Sequence, residues 1–190
     1  SWNSRRVMAV ASSPTQPQTV VVGELSGKKG VSGWQVLGAP PPVPAALAGV
    51  TAEVIEIASD DGVGAAAFDT LVYRPSSTTL SDAPFVVFPH GGPHSAFGSW
   101  YAVGPALLAA AGFVVACVNY RGSQGYGDAA LESVMGRIGD QDVRDTMAAV
   151  VACVDERRWG SRERMAVIGG SHGGFLSAQL TSQPQLASQF

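Results

Sequence analysis

At 190 residues, with 46% hydrophobic and 14% charged residues, the chain has material for one ordinary domain or one domain plus a piece of another. Twelve basic residues against fifteen acidic ones give a net charge of -3 with no basic patch, so nucleic acid is not an expected partner. The longest apolar run, residues 103–118, falls short of the roughly 20 residues a bilayer span needs and is divided by Gly112, so no membrane partner is expected.

In chain order, residues 7–11 and 19–23 are short β-prone runs, with turn chemistry in Ser12-Ser13-Pro14-Thr15-Gln16-Pro17 between them. Residues 1–38 therefore read as a β-meander too small to bury a core alone, and its natural partner is more sheet. The apolar stretch at 7–11 is too short for a secretory signal. The sequence does not open with Met, and an internal piece of a longer chain is the expectation. The prolines of Gly38-Ala39-Pro40-Pro41-Pro42-Val43-Pro44 disfavour helix and central strand, which places a linker at 39–49.

From residue 50 the pattern changes. Residues 53–57 and 68–73 read as two antiparallel strands with a turn at Asp60-Asp61-Gly62. Residues 85–88 are a short apolar strand, 103–111 an Ala/Leu-rich helix and 113–118 a strand buried on both faces. Asp142 is placed as the cap of a helix whose apolar residues Val143, Met147, Val150, Val151 and Val154 follow helical spacing. Arg157 and Arg158 end it, where the dipole favours cations. Residues 165–168 form another buried strand and 175–180 begin a helix. Strand and helix alternate from residue 84, which predicts a mainly parallel sheet with helices on both faces. Cys117 and Cys153 fall in apolar patterns and read as buried free thiols, pointing to a reduced, intracellular setting.

Gly169-Gly170-Ser171-His172-Gly173-Gly174 lies between a strand and a helix. A nucleophile elbow needs glycine two positions before and after the serine, because side chains there would collide in so tight a turn. Ser171 is then the candidate nucleophile, and the backbone N–H of His172 a candidate oxyanion donor at a helix N-terminus. His90-Gly91-Gly92-Pro93-His94 follows an early strand, where an HGG segment supplies the second donor from its backbone. Gly92 is the candidate there. Gly91 lets the backbone approach closely, and His90 and His94 are expected to shape the loop rather than act as general base. Tyr120 and Arg121, in the loop after the 113–118 strand, are candidates for substrate contact or, equally, for holding that loop by salt bridges. Asp140 and Asp142 are read as capping residues rather than a catalytic carboxylate pair. No metal-ligand or phosphate-loop spacing is present, so no metal or other cofactor is expected.

Together these stretches, with Asn119-Tyr120-Arg121-Gly122-Ser123 and Asp140-Gln141-Asp142-Val143, resemble the prolyl oligopeptidase family of serine peptidases. The likeness is greatest to its branch that removes N-acylated amino acids from short blocked peptides, and it covers residues 50–190 well. The resemblance implies an α/β-hydrolase domain over 50–190, incomplete at its C-terminus, preceded at 1–38 by the closing strands of a β-propeller. It matches Ser171 to the nucleophile and His172 and Gly92 to the oxyanion donors. It puts the triad Asp and His downstream of the nucleophile, outside these residues. It further implies short N-acylated peptide substrates, a cytoplasmic location and a homo-oligomer when full length. Two alternatives stay open: a catalytically silent piece of such a peptidase, and a carboxylesterase or dipeptidyl-peptidase of the same fold.

Overall fold

The computed structural model of the chain describes residues 5–26, 30–59, 62, 63, 67–76, 79–188 and 190. Two separate sheets organise it. The first is an antiparallel meander of β1 (Arg6–Ser13), β2 (Gln16–Leu25) and β3 (Val31–Val36). The expected turn falls where Ser13 pairs with Gln16. β3 was not expected, because Gly33 interrupts its alternation with a φ of 64°. Its Val31 and Trp34 fill the space that a side chain at Gly23 would need, which seats β3 on β2. Few apolar residues of this sheet are covered, and Met8 and Val10 are 67% and 63% exposed.

Residues 38–44 carry no helix or strand, as their prolines require. A single 3-10 turn, Ala45–Leu47, then delivers a buried Leu47 to the second sheet. That sheet contains β4 (Val50–Ala58), β5 (Ala67–Pro75), β6 (Phe85–Pro89), β7 (Val114–Asn119) and β8 (Met165–Val167), in the order β4-β5-β7-β6-β8. β4 and β5 pair antiparallel as expected. Asp60 and Asp61 of their predicted turn lie outside the described residues. β5 runs antiparallel to β7, and β6 runs parallel to both β7 and β8. The alternation read from residue 84 thus gives the parallel part of a mixed sheet.

Five helices surround it among the described residues: α1 (Val103–Ala110), α2 (Asp128–Ser133), α3 (Gln141–Val150), α4 (His172–Ser182) and α5 (Pro184–Ala187). Two cores follow from the period-2 alternation of the strands. On one face Val114, Ala116 and Val118 of β7 pack with Val143 and Val150 of α3 and Leu176 and Leu180 of α4. On the other, Val115 and Cys117 pack with Ala106 and Ala109 of α1. Every β7 residue is buried, which explains its unbroken apolar run. Cys117 and Cys153 are free and buried, one in each core.

α3 corrects one expectation. The residue preceding it is Asp140, which makes no side-chain capping bond, and Asp142 sits inside the first turn. The helix continues as a π-type turn, Val151–Glu156. Arg157 Nη1 then donates to the Ala152 carbonyl (2.9 Å), meeting the C-terminal need for a cation. α4 begins at His172, directly after Ser171 and three residues before the expected start. Among the described residues no helix is long and apolar enough to cross a membrane.

Candidate active site

The tight turn expected around Ser171 is present. β8 ends at Val167, the Ile168 N–H donates to Val87 O (3.0 Å), and after three more residues the chain enters α4 at His172. Ser171 holds φ 55°, ψ -122°, a conformation a non-glycine residue adopts only under constraint. The constraint is visible. A Cβ on Gly169 would overlap the Gly173 carbonyl, and one on Gly173 would overlap the Pro89 carbonyl. Only hydrogen fits at either place. Ser171 is exposed, and its side chain makes no capping bond to its own helix.

The HGG loop leaves β6 against this turn. The Cβ direction of Gly91 points at the elbow, 3.1 Å from Gly170 O and 3.8 Å from Ser171 Oγ. Gly92 takes φ 139°, in the range that favours glycine. His90 is buried, and burial pushes its imidazole below the ordinary 6.5. The ring donates from Nδ1 to Gly91 O (2.7 Å), and its Nε2 lies 2.7 Å from the Ser123 Oγ, whose hydroxyl donates to Tyr120 O (2.5 Å). His94 Nδ1 donates to Gly122 O (2.9 Å). Both histidines tie the HGG loop to the loop after β7.

That second loop is held from within. Tyr120 is buried, stacks on His90 with ring centroids 4.4 Å apart, and donates its hydroxyl to His90 O (2.9 Å). Burial, then the Asp142 charge, push its phenol pKa up, so it stays a donor. Arg121 is buried against Asp145 of α3, with Nη2 to Oδ1 at 2.7 Å and Nε to Oδ2 at 3.0 Å. It also donates from Nη1 to Val63 O (2.7 Å). Both side chains turn inward, which fits the loop-holding reading of Tyr120 and Arg121. Asn119 Oδ1 accepts the Phe97 N–H (2.7 Å) and its amide donates to Asp69 Oδ1 (2.8 Å), joining β5 to both loops.

One pairing is not foreshadowed by the sequence. His172 Nε2 donates to Asp142 Oδ2 (2.8 Å), and Asp142 is fully buried. The two residues are 30 positions apart, with no local signature joining them. No group of three or more His, Cys, Asp or Glu residues that could hold a metal occurs among the described residues.

A strained, exposed serine between a parallel strand and a helix, facing an HGG loop, has the geometry of an α/β-hydrolase elbow. Comparison with known proteins sharpens this: residues 100–186 match the prolyl oligopeptidase family. The chain is 38% identical to the mouse acylamino-acid-releasing enzyme over 187 residues, covering 93% of this chain and 25% of that protein. Its fold matches an acylaminoacyl peptidase of Pyrococcus horikoshii with a TM-score of 0.78 at 22% identity, over 95% of this chain and 28% of that one. It also matches a puromycin hydrolase crystal structure with a TM-score of 0.77 at 33% identity, over 95% and 27%. The chain spans about a quarter of the length of the curated relatives it matches.

Proposed function

We propose that these residues are the nucleophile-bearing part of a serine peptidase that removes an N-acylated, typically N-acetylated, amino acid from a short blocked peptide. The observation that carries this reading is Ser171, held strained and exposed beside the HGG loop at the head of α4. Ser171 attacks the carbonyl carbon of the acylated residue, and its proton passes to a base. The N–H groups of His172 and Gly92 hold the oxyanion, the amine leaves protonated, and water releases the acyl-amino acid. The base and its acid come from outside these residues, because His90, His94 and His172 are each bound elsewhere. The same fact favours a second reading for the 190 residues alone, which would be catalytically silent.

Residues 1–38 are taken as the end of a β-propeller, 39–49 as the linker and 50–190 as the catalytic domain. The separate, largely uncovered meander supports this division. The buried free thiols fit a cytoplasmic protein.

A fluorophosphonate probe on the full-length protein tests the chemistry. Labelling that disappears in Ser171→Ala, together with release of acetyl-alanine from a blocked chromogenic substrate, is the expected result. Labelling that survives the substitution overturns it.

A further inference from the structure

A buried carboxylate is costly unless hydrogen bonds surround it. Asp142 has three. Its Oδ1 accepts the N–H groups of Gly139 (2.8 Å) and Val143 (3.0 Å), both at the start of α3. Those two bonds account for a carboxylate at a helix start. The third runs outward, from His172 Nε2 to Oδ2, and fastens the first residue of α4 to the first turn of α3. The imidazole also has two tilted ring neighbours, with centroids 5.9 Å from Tyr120 and 5.6 Å from Phe175. Tyr120 in turn lies between His172 and His90, and its hydroxyl binds the His90 carbonyl, the oxygen of the peptide that leads into Gly91. One connected set therefore runs from Asp142 through His172 and Tyr120 to the HGG loop. It begins at one oxyanion-donor segment's anchor and ends at the other segment.

We infer that Asp142, acting through His172, and Tyr120 are positioning residues that fix the separation of the two oxyanion-donor peptides. This rests on the peptidase reading above. Misplacing a catalytic group by about 1 Å can cost on the order of 100-fold, so the set acts on the transition state and not on substrate affinity.

The full-length protein decides it, with Asp142→Ala, Asp142→Asn and Tyr120→Phe compared with wild type on an acetyl-alanyl chromogenic substrate. Each is also inhibited with acetyl-alaninal, whose adduct carries an oxyanion, and with acetyl-alanine, which forms none. Asp142→Ala is expected to lower kcat about 10- to 100-fold with KM nearly unchanged. Its aldehyde inhibition weakens by the same factor and its product inhibition stays constant. Asp142→Asn recovers part of the loss, because the amide can still bind both N–H groups and the other imidazole tautomer. Tyr120→Phe costs less, roughly 3- to 10-fold in kcat, in line with loss of one neutral hydrogen bond. A kcat within about 2-fold of wild type in Asp142→Ala, less than the loss of any single hydrogen bond, overturns the inference. So does an equal weakening of aldehyde and product. If Asp142→Ala does not fold, the Asn variant and the same inhibitor pair decide. Wild-type labelling by fluorophosphonate, lost in Ser171→Ala, keeps the two claims separate. Wild type without labelling overturns both, and labelling with an unaffected Asp142→Ala overturns only this one.

Discussion

The two sheets of this chain make opposite use of similar residues. In the five-stranded sheet, valines of β6 and β7 are buried on both faces by α1 on one side and α3 and α4 on the other. In the meander, Met8, Val10, Trp34 and Val36 lie largely open to water. Strand propensity is common to both, and only one has layers to close over it. A sheet becomes a rigid platform for chemistry when helices cover it, and the strained serine stands on the covered one.

That contrast can be broken or sharpened experimentally in the full-length protein. The largest effect is expected at the platform's functional end, where Ser171→Ala lowers kcat by up to about 10⁶-fold, read by turnover of the blocked substrate. Next comes the buried ion pair under the loop after β7. Asp145→Ala removes the carboxylate that neutralises buried Arg121 and is expected to destabilise the domain by about 3–5 kcal/mol, read by urea denaturation. Gly173→Ala forces a methyl group onto the Pro89 carbonyl and is expected to cost about 3 kcal/mol, with kcat falling in parallel because the elbow must shift. Val10→Ser addresses the other sheet. If further strands cover the meander, it costs about 2 kcal/mol, measured by thermal unfolding. A cost within about 0.5 kcal/mol, the range of ordinary surface changes, would count against the propeller assignment.

The smallest effect is a pH dependence confined to the platform. Burial holds His90 below its ordinary 6.5, so the unfolded chain binds the proton more readily. Stability from this group is full above about pH 6.5 and is lost as pH falls toward the depressed folded value, by at most about 1.4 kcal/mol per pH unit. Thermal midpoints from pH 7.5 to 5 should fall, and His90→Gln should flatten the curve. An unchanged slope in that variant would remove His90 as the cause.

Much of this was legible in the residues. The unbroken apolar run of β7 announces a strand covered on both faces, and the glycines around Ser171 announce a turn in which nothing larger fits. What escaped was contact between distant segments. Asp142 has the look of a helix cap, and one of its oxygens does bind two N-terminal amides, but its other oxygen reaches His172. Arg121 offered two readings, and its buried pairing with Asp145, 24 positions away, has no local signature. β3 escaped for a different reason, since Gly33 breaks the period-2 pattern and the strand is held by its neighbour β2.

Gly173 lies so close to Pro89 that the nucleophile turn and the strand leading to the HGG loop meet main chain to main chain. A joint of that kind has no side chain to trade. Any residue larger than glycine at 173 would push the turn at Ser171 and the strand before the HGG loop apart, so the closest approach at this point is main chain against main chain.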